Sequence, residues 1–297
     1  MTNMATRIMV GLVGIPAMLA AVWIGGWLFS AVVVGISTVA LWEFYNLSAT
    51  KHAEANRSVG IAWGVLLQLV VAIGASMDVL VTPAWLLLVG SLVVAGTLVT
   101  LAAELWRNLP NAVLNTAITI VGVVYVSLSL SALIFMRAIP EGTLGTSASL
   151  LPQGASLVLM TFASVWASDS AAYFVGLAIG KHKMFPRVSP KKSWEGAAGG
   201  FAAAVAAFWG LASVLAPAMP WPHAVAAGVI VGIVGPIGDL AESLLKRDAE
   251  IKDSSHIIPG HGGFLDRFDS MLFVAPLVMI YIMVSQAYAW PAIRLGW

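Results

Sequence analysis

Residues 83 to 103 read PAWLLLVGSLVVAGTLVTLAA, an apolar run without a single charged side chain. At about 1.5 Å of rise per residue such a run makes a helix about 30 Å long, which matches the hydrocarbon core of a bilayer. Runs of the same kind recur at about 8 to 25, 27 to 47, 60 to 76, 113 to 136, 155 to 179, 196 to 216, 223 to 245 and 265 to 289, so about nine spans are expected. The chain of 297 residues is 60% hydrophobic and its mean hydropathy is +0.92. The fold class expected is therefore all-α, a polytopic integral membrane protein. Arg7 followed by an apolar run with Ala17, Ala20 and Ala21 resembles a signal peptide, but the second span follows at once and favours a retained helical hairpin with residue 1 in the mature chain.

Charge excludes some functions and orients the chain. A formal net charge of +1 and the lack of a recognisable nucleic-acid module set nucleic acid aside as a partner. With no cysteine there is no disulfide, thiolate metal site or cysteine nucleophile. If the N-terminus is cytoplasmic, one side of the membrane receives Arg7, Lys51, Arg57, Arg107, Lys181, Lys183, Arg187, Lys191, Lys192, Lys246, Arg247 and Lys252. The other side receives only Arg137 and Arg294, and Arg267 falls near the cytoplasmic end of the last span. Positive-inside counting thus puts the loops 180 to 195 and 246 to 264 in the cytoplasm, and makes 138 to 154 a connector on the far side.

No polar interval is long enough for a soluble domain, so function is expected within the bundle. A division at about residue 138 separates scaffold helices, 1 to 137, from a catalytic region, 138 to 297, which carries nearly all the candidate chemistry. In the first part, Glu43 of Trp42-Glu43-Phe44-Tyr45 reads as an interfacial carboxylate beside an aromatic belt, ahead of a contact to the site.

The second part concentrates its charge in residues 243 to 269, with Lys246, Arg247, Asp248, Glu250, Lys252, Asp253, Asp266, Arg267 and Asp269 in a chain only 10% charged. Cations and carboxylates together at a membrane surface suit a phosphate and metal site. A carboxylate at mid-helix costs about 2.5 to 3.5 kcal/mol on insertion scales, so Asp169 and Asp239 require partners or a polar cavity. Asp239, Glu242, Ser243 and Lys246 project from one helical face. Gly235, Pro236 and Gly238 just before them either loosen the helix around a polar pocket or allow close helix packing.

Asp266 and Asp269, three apart at a helix start, suit either the positive end of the helix dipole or a hard cation bound through oxygen. Pro259-Gly260-His261-Gly262-Gly263 can bring backbone N–H groups close to a phosphate. In the other cytoplasmic loop, Ser189-Pro190-Lys191-Lys192-Ser193 places two cations and two hydroxyls before a helix near Trp194, which suits a triphosphate or a lipid phosphate. Lys181 and Lys183 read as positive-inside residues.

Position by position, residues 243 to 269 resemble the C-terminal signature of the phosphatidate cytidylyltransferases, or CDP-diacylglycerol synthases. The matching pattern is Ser243, Lys246-Arg247, Lys252-Asp253, Pro259-x-His261-Gly262-Gly263, then Asp266-Arg267-x-Asp269. The stretch from Asp169 to Gly176, Gly180-Lys181 and Ser189 to Gly196 is similar to the upstream part of that pattern, with Ser193 where Thr is common. The resemblance implies CTP and phosphatidate as substrates in a lipid membrane, CDP-diacylglycerol and pyrophosphate as products, Mg²⁺ as cofactor and room for K⁺. It gives metal roles to Asp239 and Asp266 and makes Asp169 and Asp269 ligands or supporting acids. Lys191, Lys192, Lys246, Arg247 and Arg267 would hold phosphates, and Ser243 would orient a phosphate or a metal-bound water. Lys252, Asp253, His261, Gly262 and Gly263 would shape the nucleotide loop. The implied location is a bacterial inner membrane with the site facing the cytoplasm, and a homodimer is allowed. Three alternatives stay open at this point: a CTP-dependent lipid kinase, a secondary transporter with a buried acidic site, and a non-catalytic lipid-binding homologue.

Overall fold

The computed structural model describes residues 3 to 49, 54 to 145 and 150 to 294, with side chains from residue 9 to 285 within those ranges. The apolar runs form helices α1 (Asn3–Ile24), α2 (Gly26–Ser48), α3 (Arg57–Ser76), α4 (Pro83–Arg107), α5 (Ala112–Arg137), α6 (Gln153–Ile179), α7 (Trp194–Leu215), α8 (Trp221–Asp248) and α9 (Leu265–Arg294). Among the described residues eight of these, α2 to α9, are long and apolar enough to cross a membrane, and α1 contributes a shorter apolar stretch, Met9–Ile24. The expected helical membrane class is what the described residues adopt. A hairpin of β1 (Lys183–Phe185) and β2 (Ser189–Ser193) forms in a segment expected to be a loop.

Local chemistry sets the helix starts. The Asn56 carboxamide accepts from the Val59 N–H at the start of α3, and Thr82 does the same for Trp85 ahead of Pro83 in α4. Ser193 ends β2 and caps α7 by accepting from the Gly196 N–H at 3.2 Å. On α4 only Thr100 and Glu104 are buried, and Leu86, Leu87, Val94, Leu98 and Leu101 stand exposed, as a helix bordered by lipid requires.

The chain forms two compact units. The first contains residues 1 to 138 and 242 to 268. Its interior is built around Phe29, Leu41, Tyr45, Leu67, Leu130 and Leu133. A single π-helical turn, Val123–Leu128, interrupts α5. Such a turn misaligns carbonyl groups, and here the Ser127 carbonyl accepts from Gln68 Nε2 at 2.9 Å and from Ser131 Oγ at 2.7 Å.

The second unit contains residues 139 to 241 and 269 to 297. In it α6 and α7 lie against each other through Gly196 and Gly200, one turn apart on α7, where a β-carbon would stand 2.7 and 2.8 Å from the carbonyl oxygens of Ala172 and Ser168. Small residues let backbones approach closely, which is the main source of helix association where lipid surrounds the helices. Pro236 does not end α8, which runs unbroken to Asp248. Gly238 is needed for packing, because a β-carbon there would stand 2.7 Å from the Asp269 carbonyl oxygen. Of the two readings for Gly235-Pro236-x-Gly238, close packing has this direct support.

Candidate active site

In the first unit the charged residues gather on Asp266, in the first turn of α9. Its side chain is only 4% exposed. Oδ1 accepts from Lys246 Nζ at 2.6 Å, and Oδ2 accepts from the Ser254 N–H at 2.9 Å, the Ser254 hydroxyl at 2.8 Å and the Gly263 N–H at 2.8 Å. Lys246 Nζ also lies 2.5 Å from Oε2 of Glu242, one turn earlier on α8, whose side chain is fully buried. One ammonium thus lies between two carboxylates, almost closed to water. The cluster carries a net negative charge, and its lysine is held in place ahead of any ligand.

The glycines of the loop fit around these carboxylates. A β-carbon on Gly263 would stand 2.2 Å from Ser254 Oγ and 2.5 Å from Glu43 Oε1. One on Gly262, whose φ is +79°, would stand 2.7 Å from Asp266 Oδ2. Ile258 and Gly262 form an isolated bridge that closes the turn between them. His261 is half-buried, and its Nδ1 is enclosed without a hydrogen-bond partner, the kind of polar atom that a ligand or water is needed to satisfy. Lys252, Asp253 and Arg267 are exposed, Ser243 is half-buried on α8, and exposed Arg247 donates to the Ile251 carbonyl at 3.2 Å as α8 ends.

Glu43 is where sequence reasoning fell short. It is fully buried and contacts the site residues, the reading that the sequence alone ranks second. Oε1 accepts from the Ser255 hydroxyl at 2.5 Å and the Phe264 N–H at 3.1 Å, and Oε2 accepts from the Leu265 N–H at 2.7 Å, with the Ser254 hydroxyl at 3.4 Å. A signal was present: Glu43 is the only charged residue in α2, and an ionisable group within a span marks a site by default. Nothing in the sequence singled out Ser254 and Ser255.

In the second unit Lys192 Nζ lies 2.6 Å from Asp239 Oδ2, a pair whose side chains are 26% and 33% exposed. The hairpin that carries Lys192 is fastened at its base. Glu195 accepts from the N–H groups of Lys181 and His182 at 3.2 Å and pairs with His182 Nδ1 at 2.6 Å, and the Trp194 N–H donates to the His182 carbonyl at 2.9 Å. Lys191 is exposed beside Lys192. Asp169 is exposed on α6, and Asp269 on α9 accepts from the Ser270 N–H at 2.6 Å.

Among the described residues no group of three or more His, Cys, Asp or Glu side chains is placed to enclose a metal ion. Mg²⁺ does not require such a cage, because it commonly takes one or two carboxylates beside phosphate oxygens and water. The hard oxygen donors present fit that chemistry. Asp239 is accessible enough to accept such an ion, whereas Asp266, with its four donors, could do so only by releasing some of them.

The sequence pattern of the cytidylyltransferase family matches residues 5 to 285. A phosphatidate cytidylyltransferase from Brucella suis biovar 1 (strain 1330) is 34% identical over 281 residues, covering 95% of this chain and 94% of the relative. One from Bacillus subtilis (strain 168) is 30% identical over 292 residues, covering 94% and 97%. One from Synechocystis sp. (strain ATCC 27184 / PCC 6803 / Kazusa) is 29% identical over 300 residues, covering 94% and 96%.

Proposed function

The chain belongs to the cytidylyltransferase family, and on that premise we propose that it transfers the cytidylyl group of CTP to phosphatidate, forming CDP-diacylglycerol and pyrophosphate. The observation that supports this most is the family match across nearly the whole chain, with signature residues Lys246, Gly263 and Asp266 gathered in one buried cluster. A phosphate oxygen of phosphatidate attacks the α-phosphorus of CTP. The new P–O bond forms as the bond to the bridging oxygen breaks, and the electron pair leaves on pyrophosphate. The attacking oxygen is already anionic, so no strong general base is needed. The barrier is the repulsion between two anions and the charge that builds on the leaving group.

The chain's own residues address that barrier by holding phosphates. In this reading Lys246, Arg247, Arg267, Lys191 and Lys192 bind phosphate oxygens, and Ser243 orients one of them. Lys252, Asp253, His261, Gly262 and Gly263 shape the nucleotide loop. The orphaned Nδ1 of His261 supports a polar ligand at that loop. The acids assigned to the metal are Asp239 and Asp266, with Asp169 and Asp269 in support. Mg²⁺, with K⁺ as a second cation, would neutralise triphosphate charge when bound. The positive-inside count supports a site facing the cytoplasm of a bacterial inner membrane, where CTP is available and phosphatidate enters from the leaflet.

The test uses purified protein, phosphatidate in mixed micelles, Mg²⁺ and CTP labelled at its α-phosphorus. Label is expected in the lipid, with one pyrophosphate released per lipid formed. A lipid kinase would instead transfer γ-label and release CDP, and a transporter or lipid-binding protein would consume no CTP.

A further inference from the structure

We infer that Glu43 is a positioning residue for the nucleotide loop, the remote cap that holds both ends of the segment 254 to 265. The first N–H groups of any helix lack partners within it and are usually satisfied by a side chain just ahead of the helix. The residues ahead of α9 are Gly262, Gly263 and Phe264, none of which has a side-chain acceptor. Gly262 and Gly263 cannot supply one, because a β-carbon at either would run into the carboxylates of Asp266 or Glu43. A loop shaped for close approach thus deprives its helix of a local cap. Glu43 supplies it from α2, 222 positions away in sequence from Leu265. Both its oxygens accept backbone N–H groups, from Phe264 and Leu265, where the positive end of the helix dipole favours an anion. The same carboxylate takes the Ser255 hydroxyl, while Asp266 takes Ser254 and Gly263, so the neck of the loop is fastened from both sides and residues 256 to 262 project beyond it. An interfacial carboxylate serving only solubility would not be dehydrated or ringed by donors.

This inference rests on the reading that the loop meets the nucleotide, and the experiment separates the two. In Glu43→Gln the amide, in either orientation, sets an NH₂ group against a backbone N–H, because both carboxylate oxygens accept one. A nitroxide at Ile257→Cys, an exposed position in a cysteine-free chain, reports loop mobility without reference to activity. The Gln variant is expected to raise label mobility and to raise the KM for CTP about tenfold, the scale of one charged hydrogen bond, with kcat within about threefold. Glu43→Asp, one methylene shorter, should restore part of both. A merely structural role would lower the amount of active enzyme, and so the apparent kcat, at unchanged KM, and that result overturns the inference, as does unchanged label mobility. If the Gln variant does not accumulate, Ser255→Ala decides, because it removes the loop's tether to Glu43, along with the bond that the Ile257 N–H donates to the same hydroxyl, and leaves the helix cap in place. It should shift mobility and KM in the same direction by about threefold, and no shift in either rejects the proposal. If the parent consumes no CTP, the function proposed above fails and the label alone judges Glu43.

Discussion

The two aspartates proposed for the metal, Asp239 and Asp266, stand in different physical settings, and the difference is measurable. Asp266 is 4% exposed and takes four donors, one of them an ammonium that is 11% exposed. Asp239 is a third exposed and its lysine a quarter exposed. Asparagine at 266 can keep the three neutral donors on its remaining oxygen, but then its NH₂ faces Lys246. Breaking a buried pair costs about 3 to 5 kcal/mol, whereas an exposed one is worth about 1 kcal/mol or less because water screens it. Asp266→Asn is therefore expected to lower the thermal unfolding midpoint in detergent, followed by tryptophan fluorescence, while Asp239→Asn leaves it nearly unchanged. Both should lose at least about tenfold in CTP turnover if both are in the machinery, the loss that a missing charged contact brings. Equal stability losses in the two variants would contradict the geometry described for Asp266. A stability loss without an activity loss would make Asp266 purely a structural residue.

Among the elements, α7 shows why some positions could be read in advance and others could not. Its glycines look alike in sequence, yet a β-carbon at Gly200 would stand 2.8 Å from the Ser168 carbonyl oxygen, while one at Gly210 meets nothing within 4 Å. Gly200→Ala is expected to destabilise by about 1 to 3 kcal/mol through overpacking, and Gly210→Ala to stabilise by about 0.5 to 1 kcal/mol through helix propensity. Thermal unfolding of the two variants should move in opposite directions, and a common direction would mean that α6 and α7 are not packed as described. The spans were largely legible, because a bilayer requires long apolar helices: all nine runs became helices, and eight of them, α2 to α9, are long and apolar enough to cross. The hairpin at 183 to 193 was not, since its Lys, Ser and Pro composition carries no period-2 apolar pattern. It is held instead by Glu195 and the Trp194 N–H, contacts that appear only once the chain has turned back. Lys246, Gly263 and Asp266 were singled out by signature, and the fold gathers them in one cluster. The role of Glu43 was not, because its partners lie more than 200 positions away.

For the molecule as a whole, the crossings from α6 to α8 decide on which side the charged segments lie. Leu150 precedes these three helices and Ile257 follows them, at 77% and 46% exposure. Each of the three is long and apolar enough to span. An odd number of crossings puts the two positions on opposite faces, and the cation count assigns the face of Ile257 to the cytoplasm. The parent has no cysteine, so Leu150→Cys and Ile257→Cys give single reporters without further changes. In intact cells an impermeant maleimide is expected to label position 150, and to reach 257 only after the membrane is opened. Labelling of both from outside would mean that one of the three helices does not cross. Labelling of 257 alone would invert the topology and put the loop away from the compartment that holds CTP. The second result bears directly on function: an enzyme that draws a water-soluble nucleotide and a lipid anion to one reaction needs its cationic loops on the side where the nucleotide is made.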